Sequence, residues 1–299
     1  MKKILITDGM DKAAVAALKE KGFDVTEQFF PPEELGNALR GFDAVVVRSA
    51  TKVRKEHIDA AKGSSLKLII RGGVGVDNID VAYAEENGMT VRNTPAASSA
   101  SVAETALAHM FSCAHYISIA GHTMREGKWE KKAYGKGFEV CGKTLGIIGY
   151  GKIGRELAKM AKGLGMRVLA YRRNPDNDEL VNYVYLEELL AKSDFVSVHL
   201  PALDKPIINA ETIAQMKDGA VLINTSRGKN VDEKALLDAL NSGKLRAAGL
   251  DVYDEEPTHN QELLDHPAVS CTPHIGAATV EAQKRIGFEV VDIIAEFFK

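Results

Sequence analysis

An α/β chain of two doubly wound parallel-sheet domains, one inserted into the other, is the architecture this sequence predicts. Three observations predict it. Short β-branched runs alternate with helical patterns twice, over residues 3–93 and again from Lys143 onward. The runs are almost continuously apolar, as strands covered on both faces should be. A glycine-rich turn, Gly149-Tyr150-Gly151-Lys152-Ile153-Gly154, follows an apolar run in mid-chain, so another unit precedes it.

In the first unit, residues 3–7 are predicted as a strand and 11–21 as a helix, with Ala14, Val15 and Leu18 on one face. Residues 23–27, 44–48, 67–71 and 90–93 read as further strands, with helices over 52–62 and 78–87. Asn93-Thr94-Pro95 breaks the rhythm, because proline disfavours helix in the residue before it. A long helix over 98–122 follows, with Val102, Ala106, Met110, Ala114 and Ile117 on its apolar face. Ser101, three residues before Glu104, has capping-box spacing. A polar arm over 124–140 holds the only tryptophan, Trp129, and reads equally as a packed loop or a subunit contact. The second unit has strands over 145–148, 167–171, 195–199, 220–224, 248–250 and 269–272. After Pro273, residues 279–299 form an amphipathic helix in which Ile286, Val290, Ile293 and Phe297 share a face. That helix is expected to return to the first domain. The predicted domains are therefore residues 1–93 plus 274–299, and residues 94–273.

Composition narrows the function classes. A net charge of −3 gives no basic footprint for nucleic acid. No stretch approaches the roughly 18 apolar residues of a membrane span. The first residues carry two lysines but an apolar run too short for a secretory signal. Cys113, Cys141 and Cys271 are far apart without metal-ligand spacing, so free thiols in a reducing cytoplasm, and no metal, are expected.

The glycine turn, with a strand before it and a helix after it, is a dinucleotide site. Glycines let the backbone bend tightly and approach a pyrophosphate resting on the helix N-terminus. Gly149, Gly151, Lys152, Ile153 and Gly154 are its residues. The next strand, where an acidic residue usually holds the adenosine ribose, ends in Arg172-Arg173, with no carboxylate before Asp176. Guanidinium forks suit a 2′-phosphate and favour NADP(H). Asp176 or a backbone group serving NAD(H) stands as the alternative, since an exposed arginine can also stack on adenine.

Three later stretches complete a pattern: Asn224-Thr225-Ser226-Arg227-Gly228, then Asp251-Val252-Tyr253-Asp254-Glu255-Glu256-Pro257, then Thr272-Pro273-His274-Ile275-Gly276. With the glycine turn, in this order and over nearly the whole chain, they resemble the D-isomer-specific 2-hydroxyacid dehydrogenases. The resemblance implies a Rossmann-type cofactor domain inserted into a flavodoxin-like substrate domain. It also implies a catalytic triad of Arg227, Glu256 and His274, with Pro257 selecting Glu256 over Glu255. Asp251 is expected at the nicotinamide carboxamide. Leu200, Thr225, Ser226, Gly276 and Val74 are further cofactor contacts.

Elementary chemistry fits those roles. Oxidising a 2-hydroxy acid needs a base for the hydroxyl proton, a hydride acceptor and a cation for the carboxylate. An imidazole is the natural base, a carboxylate fixes its tautomer, and a guanidinium is a permanent planar cation.

Two stretches, 45–51 and Arg71-Gly72-Gly73-Val74-Gly75 through Asp80, resemble the phosphoglycerate dehydrogenase branch of that family, as does Asn93-Thr94-Pro95. The turn at Arg71–Gly75 offers backbone N–H groups to a carboxylate. By resemblance Arg48 and Asn93 face the substrate, and Arg48 with Arg71 supplies charge for a phosphate. The expected substrate is therefore 3-phosphoglycerate, oxidised to 3-phosphohydroxypyruvate in serine synthesis, without the regulatory extension of longer members. Glyoxylate/hydroxypyruvate reduction is the alternative, and a nucleotide-sensing corepressor-like protein a remote one. Ala96 after Pro95, the shortened loop 202–206 and Arg172 depart from the family pattern. A homodimer is expected by resemblance.

Overall fold

The computed structural model describes residues 1–175 and 177–299; Asp176, the alternative ribose ligand, lies outside the described residues. The chain divides into two compact units. One comprises Met1–Ser98 and Ala277–Lys299, the other Ser99–Gly276.

The first unit is built on a parallel sheet of five strands in the order β2-β1-β3-β4-β5. These are β1 (Lys3–Ile6), β2 (Asp24–Glu27), β3 (Ala44–Val47), β4 (Leu68–Arg71) and β5 (Thr90–Asn93). Helices α1 (Lys12–Glu20), α2 (Pro32–Leu39), α3 (Lys55–Ala61) and α4 (Val81–Glu86) connect them. All four residues of β3, Ala-Val-Val-Val, are buried because helices cover both faces. Each such valine is worth about 1.5–3 kcal/mol relative to exposure. The last helix, α12 (Val280–Phe297), belongs to this unit and packs on α1, where Gly287 admits Ala14. Thr279 caps it by accepting from the Ala282 amide.

The second unit carries a parallel sheet of seven strands, ordered β12-β11-β10-β9-β6-β7-β8. They are β6 (Thr144–Ile148), β7 (Arg167–Tyr171), β8 (Asn182–Tyr183), β9 (Phe195–Val198), β10 (Ala220–Asn224), β11 (Leu245–Leu250) and β12 (Val269–Cys271). Its helices are α5 (Ser99–His115), α6 (Ile117–Arg125), α7 (Lys152–Gly163), α8 (Leu186–Lys192), α9 (Ala210–Gln215), α10 (Glu233–Asn241) and α11 (Gln261–Leu264). The order reverses between β6 and β9, the place where open α/β sheets bind ligands beyond the strands' carboxyl ends.

Four local features differ from the expectations drawn from sequence. The single long helix over 98–122 is two helices, because Tyr116 adopts a left-handed φ of 59° between α5 and α6. Ser101 does not cap α5; it lies inside the helix and its hydroxyl donates to the Gly276 carbonyl at 2.6 Å. Helix α2 and the two-residue edge strand β8 were not expected. In the arm, Phe138 stacks on Phe195 and lies under the Arg246 guanidinium, whereas Trp129 is 81% exposed. Among the described residues no helix is long and apolar enough to cross a membrane, and no cluster of His, Cys, Asp or Glu is arranged to hold a metal.

Candidate active site

The glycine turn joins β6 to α7, and its three glycines do different work. Gly149 has φ +92, and a Cβ there would lie 2.6 Å from the His199 carbonyl oxygen. The loops after β6 and β9 therefore meet through a contact only glycine allows. Gly151 caps α7 without a side-chain hydrogen bond and has open space on its Cβ side. Gly154 sits where a Cβ would approach Ile147 Cγ2 at 3.1 Å, which keeps α7 close to β6. A tight turn, an open approach and a close-packed helix together form a cradle that fits a dinucleotide pyrophosphate. Lys152 and Ile153 open α7. Leu200 Cδ2 lies beside the same glycine, 2.8 Å from where a Cβ on Gly149 would stand. The Thr225 hydroxyl is buried with no partner in the protein, a donor left for a ligand.

Arg172 and Arg173 follow β7, half-buried and exposed respectively. Among the described residues, the first carboxylate beyond them is Asp178. It is taken up by Tyr150 Oη at 2.8 Å, by the Leu180 amide and by Arg155.

Arg227, Glu256 and His274 follow β10, β11 and β12, three adjacent strands. Asn224 shapes the first loop: its amide donates to the Arg227 carbonyl at 2.9 Å and its oxygen accepts from the Ser226 hydroxyl at 2.8 Å. Asn230, fully buried, donates to Ser226 Oγ and to the Leu200 carbonyl, tying this loop to the one after β9. Arg227 Nη1 donates to the Ser226 carbonyl at 2.6 Å. A Cβ on Gly228 would overlap the Tyr253 carbonyl group, so the Arg227 and Glu256 loops share a backbone contact.

His274 Nδ1 and Glu256 Oε2 are 2.7 Å apart, with side chains 39% and 38% exposed. Partial burial pushes the Glu256 carboxyl up. The hydrogen bond and charge of His274, the Tyr253 amide and the Arg227 guanidinium outweigh that and hold it below its ordinary value. His274 itself has a left-handed φ of 54°. Asp251, 1% exposed, holds that backbone: Oδ1 accepts from the Ile275 amide and Oδ2 from the Gly276 amide, each at 2.8 Å.

In the first unit, Arg71 ends β4 opposite Val47, and Arg48 directly follows β3. Gly73 has φ +149, and the Arg71 guanidinium occupies the side where its Cβ would stand. The Gly72 and Gly73 amides are used internally, on Val47 and Arg71 carbonyls. Within this turn only the amides of Val74 and Gly75 lack a backbone acceptor among the described residues. Asn93 donates to the Val74 carbonyl at 2.5 Å and so braces the turn. Asp8 was missed by reasoning from sequence. Its carboxylate accepts from the Arg48 amide at 2.6 Å and from the Thr51 amide and hydroxyl, which fixes the loop carrying Arg48.

A nucleotide cradle at a topological switch point, beside an imidazole–carboxylate pair and a guanidinium, defines a dinucleotide-dependent α/β oxidoreductase. Residues 107–276 match the model of the D-isomer specific 2-hydroxyacid dehydrogenase NAD binding domain. The chain belongs to that family and is an enzyme of it. It is 47% identical to a hydroxypyruvate reductase of Thermotoga maritima, over 98% of this chain and 97% of that protein. It is 42% identical to D-3-phosphoglycerate dehydrogenase of Methanocaldococcus jannaschii, covering 100% of this chain but 58% of that one. Among solved structures, a glyoxylate reductase from Paecilomyes thermophila superposes with a TM-score of 0.88 at 34% identity, covering 98% of this chain and 94% of that one.

Proposed function

We propose that this protein is a hydroxypyruvate/glyoxylate reductase, acting on a small 2-keto acid. The observation that carries this reading is the end-to-end match at 47% identity with a hydroxypyruvate reductase. It displaces phosphoglycerate oxidation as the main reading. Phosphoglycerate dehydrogenase remains a second reading, because Arg48 and Arg71 both border Gly72–Gly73, an arrangement suited to a phosphate.

When bound, the reduced nicotinamide cofactor supplies the hydride. Thr225, Ser226, Leu200, Gly276 and the Gly149–Gly154 turn hold it, with Arg172 and Arg173 setting the preference between NADH and NADPH. Val74 is a further cofactor residue of this reading. Arg227 binds the substrate carboxylate and polarises the C2 oxygen. His274 gives a proton to that oxygen in reduction and takes it back in oxidation. Glu256 accepts from Nδ1, which leaves Nε2 as the nitrogen that exchanges the proton, and stabilises the imidazolium. In the first unit, the substrate residues of this reading are Arg48, Arg71, Gly73, Asn93 and the amides of Val74 and Gly75. A cytoplasmic homodimer using the arm around Trp129 belongs to the same reading.

The test is nicotinamide absorbance with hydroxypyruvate, glyoxylate and phosphohydroxypyruvate, each with NADH and NADPH. Hydroxypyruvate or glyoxylate should give the highest kcat/KM. A preference for phosphohydroxypyruvate establishes the second reading instead.

A further inference from the structure

Beneath the His274 loop a buried polar chain joins His109 and Ser270, which no motif contains, to Thr272 and Asp251 of the motif stretches. His109, on α5 and 3% exposed, places Nδ1 3.0 Å from Ser270 Oγ and Nε2 3.0 Å from Thr272 Oγ1. Thr272 donates its hydroxyl to Asp251 Oδ1 at 2.6 Å. Asp251 in turn holds the two amides that follow His274. The sequence makes room for this chain. A Cβ on Gly249 of β11 would lie 2.5 Å from His109 Cβ and 3.0 Å from its Cγ, so the glycine is what admits the ring.

The proton directions follow from valence. Thr272 has one hydroxyl proton, and the carboxylate can only accept it. Its contact with His109 must therefore be as acceptor, so Nε2 carries a proton. Burial lowers the His109 pKa, with the Asp251 charge opposing. The ring is accordingly neutral at pH 7, Nδ1 is an acceptor, and Ser270 donates to it. Every polar atom along Ser270–His109–Thr272–Asp251 is then satisfied, and each bond polarises the next.

We propose that His109 is a positioning residue of this enzyme, acting through Thr272 and Asp251 to hold the left-handed backbone on which His274 presents its imidazole. The proposal rests on the reading of His274 as the acid–base group. A left-handed backbone strains a non-glycine residue, because its Cβ crowds the following carbonyl oxygen. The Asp251 bonds to residues 275 and 276 offset that strain. Thr272 and His109 keep the carboxylate turned toward those amides.

The test compares Thr272→Val with Thr272→Ser, and His109→Leu with His109→Gln. Val and Leu delete the link at similar volume; Ser and Gln keep a polar group facing the chain. Two quantities are read: kcat and KM for 2-keto acid reduction, and hydrogen exchange of the Ile275 and Gly276 amides. The Val and Leu variants should lose about ten- to a hundredfold in kcat, the scale of a slight misplacement of a reacting group. Both amides should exchange faster, and the Ser and Gln variants should recover both kcat and amide protection. Combining Thr272→Val with His109→Leu should give no further loss, since both cut one chain. Unchanged amide protection in the Val and Leu variants overturns the proposal. So does a kcat loss that Ser and Gln do not recover. His274→Ala is the separate control. If it turns over at the wild-type rate, the acid–base reading fails, while amide exchange still judges the positioning chain.

Discussion

Replacing Gly149 and Gly151 in turn by alanine should separate folding from cofactor binding within a single loop. At Gly149, φ +92 places an L-residue in the left-handed region at roughly 1–2 kcal/mol. The new methyl would also meet the His199 carbonyl oxygen at 2.6 Å, a backbone atom that cannot rotate away. Overpacking of that kind costs about 1–3 kcal/mol. Together these predict a loss of roughly 2–5 kcal/mol. For a unit of this size that lowers the melting temperature by roughly 4–20 °C, at about 2–4 °C per kcal/mol. At Gly151 φ is −103° and a Cβ has open space around it. Gly151→Ala should therefore stay within about 0.5 kcal/mol of wild type, as surface substitutions do. Its methyl would enter the open space at the N-terminus of α7, where the proposed cradle would seat a pyrophosphate. Cofactor affinity should fall at least about tenfold, or roughly 1.4 kcal/mol. Thermal melts without ligand, followed by titration with NADH and NADPH, measure both effects. If Gly151→Ala melts as low as Gly149→Ala, or binds both nucleotides as wild type does, the assignment of distinct roles to these glycines is wrong.

Three further outcomes follow from the same geometry. Arg172→Asp should shift the ratio of kcat/KM values toward NADH over NADPH; an unmoved ratio removes Arg172 from cofactor choice. Glu256 has a folded pKa held below 4.5, so its stabilising contribution is present above that value and lost as pH falls through the lower folded value. The melting-temperature gap between wild type and Glu256→Gln should therefore close on acidification from pH 7 to pH 3, and a gap that widens contradicts the pairing. Burial pushes the Cys113 thiol up to about 12, whereas Cys141 is exposed. Mass spectrometry after brief alkylation of the folded protein at pH 8 should find Cys141 modified and Cys113 intact.

What the sequence disclosed depended on how local the physics was. Most strands of both sheets are short, apolar and bounded by turn residues, so their periodicity is self-contained. The glycine turn is legible because its requirements sit within six residues. Glu256 and His274 lie 18 residues apart and were brought together by motif rather than by any local rule. The break at Tyr116 carries no glycine, so nothing nearby announces it. Strand β8 has two residues and no period to read. His109 looks in sequence like one more residue on the α5 helix, because its partners Ser270 and Thr272 are 161 and 163 positions away. Gly228 and Gly249 are equally silent, since the atoms that exclude a side chain there come from other strands and helices. Only one signal is available for such positions: glycine inside or beside an apolar strand, which marks a close approach without saying of what.

The hydrogen bond from Ser101 to the Gly276 carbonyl has a topological meaning beyond helix α5. Ser101 is the third residue of the second unit and Gly276 its last. The chain enters and leaves this unit at one spot, as the two ends of a cord do at a knot. Residues 99–276 are thus a closed module whose ends need no linker to meet. A block with that property suits insertion into a surface turn of another protein, with Gly149–Gly154, Glu256 and His274 all on one piece.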